Sequence, residues 1–344
     1  MDHLYGYLQF LAETVTIVVA ILVVLSAGAA MGFRRQQHGE SGHLEVKKLN
    51  DRLLGLKDSL RQAVLPPAQF KKLHRADSKV HKQEQKQAAR EAKVEKDPAS
   101  HVRPRVFVLH FEGDLQASSV EQLRTEITAV LTMADASDEV VVCLESPGGA
   151  VHGYGLAASQ LDRIRARGIP LIAAVDKVAA SGGYLMAAVA DRILAAPFAV
   201  IGSIGVLAQI PNIHRLLKKH DVDVELLTAG KYKRTLTVLG ENTEEGRQKF
   251  IEELEDIHAQ FQEFVGSRRP QLDMAAVATG EVWYGDRALA RNLVDELCTS
   301  DEYLARACEE KDVYEVRWVE HKRPIERLMA HVEGAVVRLV DRIT

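Results

Sequence analysis

The chain opens with a long apolar stretch, and strand-like and helix-like runs alternate only after residue 104. Residues 14–33 are 20 consecutive uncharged positions, rich in Val, Ile, Leu and Ala. At about 1.5 Å per helical residue, such a stretch matches a hydrocarbon core of about 30 Å. The pattern predicts a transmembrane helix over 14–33, preceded by a short N-terminal flank at 1–13.

A cleaved signal peptide is the alternative interpretation, because small residues lie near the end of this stretch. A signal peptide would place positive charge before a shorter apolar run. Here Asp2 and Glu13 precede the run, whereas Arg34 and Arg35 follow it, which favours an uncleaved anchor. Because Lys and Arg gather on the cytoplasmic flank of membrane spans, most of the chain is predicted to face the cytoplasm.

Residues 34–104 form a basic region. Apolar residues recur in it at spacings of three and four, at Leu49, Leu53, Leu56 and Leu60. This pattern predicts an amphipathic helix over 44–64 that stops at Pro66-Pro67. Residues 71–97 are almost wholly Lys, Gln, Glu, Arg and Ala and cannot bury a core. We expect a solvated helical or disordered stalk, either a plain spacer or a segment attracted to anionic lipid headgroups.

Beyond the stalk, β-rich runs alternate with helical ones. The strand-like runs lie at 106–111, 140–144, 171–175 and 192–195. The helical stretches lie at 118–133, 153–167, 183–190 and 243–266. Such alternation predicts βαβ crossovers and a mainly parallel sheet, hence an α/β fold. We assign the main domain to 105–310, followed by a C-terminal strand and amphipathic helical tail at 311–344.

Charge and cysteine content exclude several classes of protein. The net charge of −4 conceals a split, because residues 34–105 hold 18 Lys and Arg against 9 Asp and Glu. Residues 106–344 carry −11, which does not suit a nucleic-acid enzyme with a basic face. Three cysteines without a Cys-x-x-Cys pair or clustered histidines indicate neither a disulfide framework nor a zinc site.

Two glycine-bearing turns each follow a strand-like run and open a helix. The first, residues 145–151, reads Glu-Ser-Pro-Gly-Gly-Ala-Val, with Gly148 and Gly149 at its centre. Glycines let backbone N–H groups turn toward a ligand, and the next helix adds its positive N-terminal end. The turn is therefore a candidate oxyanion hole, although the same sequence also suits a plain tight turn.

The second turn, residues 178–184, reads Val-Ala-Ala-Ser-Gly-Gly-Tyr and places Ser181 at a helix start. Small neighbours leave its hydroxyl unshielded, as a nucleophile requires. A serine that merely caps the helix fits equally well. A serine nucleophile needs a general base, and Lys233, which follows the apolar run 222–227, is a candidate. It can accept a proton only if burial lowers its pKa, whereas most lysines are solvated surface charges.

Four motifs in this order resemble those of the signal peptide peptidase A family of serine–lysine peptidases. They are Ser-Pro-Gly-Gly, Ala-Ala-Ser-Gly-Gly-Tyr, Ile-Gly-Ser-Ile-Gly-Val and Gly-Lys-Tyr-Lys. With its apolar N-terminal segment and basic stalk, the chain is most similar to membrane-anchored members. The resemblance spans residues 100–310 at the level of motifs. It implies a fold related to Clp protease and the crotonases, built of stacked ββα units.

The resemblance also implies a role for each matching residue. Ser181 matches the nucleophile, Lys233 the general base and Ser203 the serine that orients this lysine. The implied oxyanion hole consists of backbone N–H groups at Gly148, Gly149 and Gly182. Lys231, two positions before Lys233, is the alternative base, and the preference for Lys233 rests on the motif alone.

The implied activity is that of a membrane-anchored serine endopeptidase that cleaves peptides or membrane-associated protein segments through an acyl-enzyme. It requires no cofactor and no metal. The implied partners are peptide or protein substrates, membrane lipid at the N-terminal helix, and further copies of the chain, without nucleic acid. The implied location is the bacterial inner membrane, with a single span. Acyl-CoA chemistry on the same fold and a non-enzymatic membrane scaffold are the alternatives.

Overall fold

The computed structural model describes residues 42–94 and 103–320. Nearly all of them belong to one compact unit, Leu44–Trp318. The other unit comprises residues 1–43 and 319–344. The predicted span at 14–33 and most of the predicted C-terminal tail lie outside the described residues. No helix within the two described ranges combines the length and the apolar character that crossing a bilayer requires.

The described ranges contain ten strands and ten helices. The strands are β1 (Gly42–Lys48), β2 (Arg105–Glu112), β3 (Glu139–Glu145), β4 (Leu171–Val175), β5 (Val178–Ala180), β6 (Arg192–Ala195), β7 (Val200–Gly202), β8 (Val282–Tyr284), β9 (Glu296–Leu297) and β10 (Asp312–Glu320). The helices are α1 (Leu49–Val64), α2 (Pro67–Val94), α3 (Val120–Leu131), α4 (Val151–Arg165), α5 (Gly182–Ala187), α6 (His214–Lys219), α7 (Glu244–Arg268), α8 (Met274–Val277), α9 (Gly285–Leu289) and α10 (Ser300–Glu310).

The main sheet has seven strands in the order β1-β10-β2-β3-β4-β6-β9. The pairs from β10 across to β9 are all parallel. Strand β4 is buried at all five of its positions, which is typical of a parallel strand covered on both faces. The predicted α/β class is confirmed, because each predicted strand and helix of the main domain is present.

Alternate residues of the central strands feed two different cores, as the period of two in a strand requires. Phe107 and Leu109 belong to the larger core, together with buried residues of α3 and α4. Val106 and Val108 belong to a smaller core on the opposite face, against which α10 and Leu49 pack. The sheet is therefore covered by helices on both faces.

A second sheet of three strands, β5-β7-β8, stands beside the main one. Strand β5 pairs in parallel with β7, and β7 pairs antiparallel with β8. A single bridge between Ser146 and Ala179 connects the end of β3 to β5. This junction brings the two glycine-bearing turns to the same place.

The stalk differs from its prediction at one end. The predicted helix over 44–64 begins only at Leu49, because the preceding residues form β1 beside β10. Pairing with a sheet edge overrides the helical spacing there. The predicted stop is confirmed, since α1 ends before Pro66 and α2 starts at Pro67.

Candidate active site

Ser181 occupies the sharp turn between β5 and α5. Its backbone has φ 52° and ψ −120°, a positive φ that a residue with a side chain adopts only under strain. The backbone N–H of Ser181 donates to the Gly202 carbonyl at 2.8 Å, and the Ser181 carbonyl accepts from the Leu185 N–H at 2.9 Å. The hydroxyl makes no capping bond to the helix, so the interpretation as a plain helix cap is wrong.

The first glycine turn lies directly against Ser181. Gly148 has φ 90°, and a Cβ atom at this position would come within 2.7 Å of the Ser181 Cβ and 2.8 Å of the Gly182 nitrogen. Only glycine allows so close an approach. The structure therefore brings Gly148 against Ser181 and Gly182, although Gly148 lies far from them in the sequence.

The backbone donors at this junction differ in what they bind. The Gly148 N–H donates to the Ser146 hydroxyl oxygen at 3.1 Å. The N–H groups of Gly149 and Gly182 have no acceptor in the described part of the chain. Two of the three glycine N–H groups of the implied oxyanion hole are thus without an acceptor among the described residues.

A buried chain of hydrogen bonds supports the first turn. The Tyr154 hydroxyl donates to the Asp114 carbonyl at 2.8 Å, and burial raises the pKa of Tyr154, so the phenol keeps its proton. The Ser146 hydroxyl, 2.6 Å away, must then donate to the Tyr154 oxygen, which leaves a Ser146 lone pair for the Gly148 N–H. This order of donors fixes the orientation of the Gly148 peptide.

The same tyrosine supports the second turn. A Cβ atom on Gly182 would lie 2.4 Å from Cγ of the Tyr154 ring, so the start of α5 rests on that ring. Three residues after Ser181, the hydroxyl of the buried Tyr184 donates to the Leu293 carbonyl at 2.9 Å. The sequence analysis did not identify Tyr154, whose only signal was its position in the helix after the first turn.

Ser203 follows β7 and lies beside the Ser181 turn. Strand pairing sets Ala180 opposite Gly202, so the residues after them, Ser181 and Ser203, leave the sheet as neighbours. Ser203 also has φ 52°, and its N–H donates to the Glu281 carbonyl at 2.7 Å. This placement agrees with a supporting role beside Ser181.

Lys233 lies in an exposed segment without regular secondary structure. Its backbone N–H donates to the Gly230 carbonyl at 3.2 Å. Its side chain makes no hydrogen bond or ion pair with any residue in the described ranges. Within one chain, therefore, the structure does not join Lys233 to Ser181 or Ser203.

Lys231 is engaged elsewhere. Its ammonium group pairs with Glu245 at 2.8 Å and lies 5.0 Å from the centre of the Tyr232 ring. Its hydrogen bond to Glu245 raises the pKa of Lys231. A lysine held in its charged form cannot accept a proton, so the surroundings of Lys231 disfavour it as the base.

The segment that carries Lys233 is rich in exposed apolar side chains. Leu207 is 85% exposed and Leu227 is 89% exposed. Others exposed in this segment are Ile210, Ile213, Leu216, Val222, Val224, Leu226, Tyr232, Val238 and Leu239. So many exposed apolar side chains in one segment indicate a surface that another molecule covers.

The cysteine thiols are poorer candidates for a nucleophile than Ser181, and no metal site is found among the described residues. All three cysteines are free thiols, and burial raises the pKa of Cys143 to about 12. A protonated thiol is a weak nucleophile, so Cys143 is not a second candidate. Across residues 42–94 and 103–320, no group of three or more His, Cys, Asp or Glu residues is arranged to hold a metal ion.

Comparison with known proteins identifies the family of the chain. Residues 2–161 match the model described as peptidase family S49 N-terminal, and residues 163–314 match peptidase family S49. A probable protease SohB from Haemophilus influenzae is 47% identical over 341 residues, covering 99% of this chain and 96% of that protein.

Two further proteins are similar to this chain. A probable protease SohB from Buchnera aphidicola subsp. Acyrthosiphon pisum is 53% identical over 230 residues, which is 67% of this chain and 68% of that protein. A solved structure of the 1510-N membrane-bound stomatin-specific protease with a substrate peptide is 14% identical. It covers 67% of this chain and 99% of its own, with a TM-score of 0.41. By its family matches and full-length identity, the chain belongs to peptidase family S49 and is a protease of the SohB type.

Proposed function

We propose that this protease is a serine endopeptidase with Ser181 as its nucleophile and Lys233 as its general base. The observation that carries the proposal is the strained Ser181 turn, whose hydroxyl has no partner among the described residues. Beside it lie two backbone donors without acceptors, the N–H groups of Gly149 and Gly182. A nucleophile next to preorganised donors is the arrangement that acyl transfer requires.

The reaction proceeds in two halves. Neutral Lys233 takes the proton of the Ser181 hydroxyl as its oxygen attacks the peptide carbonyl, and the oxyanion binds the free backbone N–H groups. The tetrahedral intermediate collapses, the C–N bond breaks, and the leaving amine takes the proton from Lys233. Water then attacks the acyl-enzyme, gives its proton to Lys233, and releases the carboxylic acid while Ser181 regains its hydrogen.

The base must be uncharged to act, and a solvated lysine has a pKa of about 10.4. Desolvation in a closed site lowers it. We propose that further copies of the chain bury the apolar segment that carries Lys233 and bring this lysine to a Ser181–Ser203 pair. The exposure of Leu207 and Leu227 supports this assembly, as does the family resemblance, which implies rings or domes.

The remaining proposals concern the fold and the membrane. The stacked ββα arrangement of Clp protease and the crotonases is the finer fold we propose.

The uncharged run at 14–33 and the arginines after it support a single span of a bacterial inner membrane, with the protease domain in the cytoplasm. A cysteine replacing the exposed Gln83 should resist membrane-impermeant thiol reagents in intact cells, and ready labelling would place the domain outside.

A fluorescent serine-directed phosphonate tests the nucleophile. Wild-type protein should be labelled, and Ser181→Ala should not. Ser59→Ala, on the exposed face of α1, serves as the matched control and should label like the wild type. Labelling that persists in Ser181→Ala would contradict the assignment. An unlabelled, correctly folded wild type that hydrolyses no peptide would favour the scaffold alternative.

A further inference from the structure

Beyond its first turn, helix α1 turns its apolar side away from the protein. Leu53, Leu56, Leu60 and Val64 recur at spacings of three and four, so they share one face. Leu60 is 67% exposed and Val64 is 70% exposed, and no residue of α1 is buried. We call these four residues the leucine stripe.

Apart from Leu49, which packs against the smaller core, the side-chain contacts of α1 described here come from its polar side. Arg61 pairs with Asp77 of α2 at 2.5 Å, and Asp58 pairs with His74 at 2.9 Å. Most amphipathic helices bury their apolar face and expose the polar one. Beyond its first turn α1 does the reverse, so the leucine stripe is an exposed apolar face that a partner can cover.

The first turn of α1 is fastened to the protease domain, so the stripe has a fixed position. The Asn50 amide donates to the Cys308 and Lys311 carbonyls at 3.0 and 2.9 Å. Its oxygen accepts from the Val313 N–H at 2.8 Å. A helix held at one end in this way projects from the domain rather than swinging as a loose tether.

The charges around the stripe indicate what covers it. At about 100° per helical residue, Arg52 lies about 85° to one side of the stripe's centre and Lys57 about 55° to the other. The acidic residues Asp51 and Asp58 lie on the far side of the helix. An apolar strip bordered by cations, with the acids turned away, is typical of a helix that lies on an anionic lipid surface.

Two further observations agree with a lipid surface. Helix α2 adds exposed basic residues at Lys71, Lys72, Arg75 and Lys79. Along the sequence, Leu49 follows residue 33, the last of the uncharged run, by 16 positions. An extended chain of that length reaches at most about 55 Å, so a bilayer holding the run stays within reach of α1.

We propose that α1 docks on the anionic lipid surface of the membrane, with the leucine stripe in the acyl boundary and Arg52 and Lys57 at headgroups. Docking of this kind holds the protease domain at a set distance from the bilayer. The proposal does not depend on the catalytic assignment, because none of these residues contacts the Ser181 turn.

The test uses the full-length protein reconstituted into vesicles. An environment-sensitive fluorophore is attached at Leu56→Cys in the stripe or at Gln62→Cys on the far face of α1. Wild-type protein labelled in parallel gives the background from Cys143, Cys298 and Cys308. In vesicles with about 30% phosphatidylglycerol, lipid-borne nitroxide should quench the fluorophore at position 56 at least about twofold more than at position 62.

The charges give a second arm. Arg52→Glu with Lys57→Glu should lower the quenching at position 56 toward that at position 62, and pure phosphatidylcholine should do the same. Hydrolysis of a soluble peptide by the charge variant should stay within about twofold of the wild type, since the site is remote. Equal quenching at both positions in anionic vesicles overturns the proposal. A position 56 shielded equally in detergent, and more so at higher protein concentration, overturns it in favour of a second copy.

Discussion

The two proposed partners in catalysis lie in opposite surroundings. Ser181 lies between two sheets, next to Ala179 and Tyr184, which are both fully buried. Lys233 lies in a segment where Leu207 and Leu227 are almost wholly exposed. The nucleophile and its donors are therefore already arranged within one chain, whereas the base is not.

The difference follows from residue size and shape. Small residues around Ser181 allow backbone approaches that leave no room for a Cβ atom at Gly148. The Lys233 segment instead carries large apolar side chains that the chain itself does not bury. Packing within a single chain buries the surroundings of the nucleophile. The apolar surface near the base stays exposed and is available to a partner.

The largest effect should come from the preformed half of the site. Ser181→Ala should reduce peptide hydrolysis by at least about a thousandfold, because no other group replaces the nucleophile. Its free energy of unfolding should change by less than about 1 kcal/mol, since a small hydroxyl leaves little cavity. Kinetics and urea unfolding check the two parts, and an active Ser181→Ala protein would refute the assignment.

At the exposed half of the site, which carries Lys233, activity should depend on whether residue 233 can lose its charge, not on the size of its side chain. Lys233→Ala should be inactive, and Lys233→Arg should be equally inactive, because a guanidinium stays protonated. The matched control Lys231→Ala should keep substantial activity, since Lys231 is committed to Glu245. If Lys231→Ala were inactive beside an active Lys233→Ala, the choice of base would be reversed.

A smaller effect should come from the support beneath Ser181. Tyr154→Phe removes the hydroxyl that bonds the Asp114 carbonyl and the Ser146 hydroxyl, which should lower the free energy of unfolding by about 1–3 kcal/mol. The kcat should fall more than KM changes, because the Gly148 peptide loses its orientation. Ser146→Ala added to Tyr154→Phe should cost little more, since both act in one chain of bonds. Fully additive losses of kcat would show that the two residues act separately.

The smallest effect concerns Glu126, which lies in α3 outside both regions. A change at Glu126 should alter the stability of the fold without altering the catalytic site. Its carboxylate accepts from the Trp318 N–H at 2.7 Å, and burial raises the pKa of Glu126 to about 6. The fold therefore favours the protonated form. As the pH rises from the ordinary pKa of about 4.5 through 6, the buried carboxyl ionises and the free energy of unfolding falls. The total loss above pH 6 is about 2 kcal/mol.

Glu126→Gln should remove this cost. At about pH 8 the variant should unfold at higher urea than the wild type, and at about pH 4 the two should coincide. Glu121→Gln, an exposed position in the first turn of the same helix, is the matched control and should show neither change. A wild type that gains stability between pH 4 and 8 relative to Glu126→Gln would contradict the sign.

The sequence predicted the features that local pattern controls. The strand runs, the helix stop at Pro66 and the two glycine turns all depend on neighbouring residues. Strand β1 was missed because its pairing with β10 joins residues more than 260 positions apart. The Ser146–Tyr154 bond joins residues only eight positions apart, but only the fold reveals that it directs the Gly148 N–H.

The environment of Lys233 was the feature that sequence could least predict. The apolar run at 222–227 made the following Lys233 a candidate for burial, yet the structure has this run exposed and without regular secondary structure. A run of apolar residues indicates that burial occurs but not whether the cover belongs to the same chain. The Gly-Lys-Tyr-Lys motif therefore carried the assignment where periodicity could not.

The central claim is that assembly completes the site by bringing Lys233 to the preformed Ser181 turn of another chain. The most direct measurement mixes inactive Ser181→Ala protein with inactive Lys233→Ala protein and follows peptide hydrolysis in oligomers shown to contain both. The account predicts recovered activity, because some sites in a mixed oligomer then pair an intact serine with an intact lysine. Verified mixed oligomers that remain inactive would contradict it and place both residues of the site within one chain.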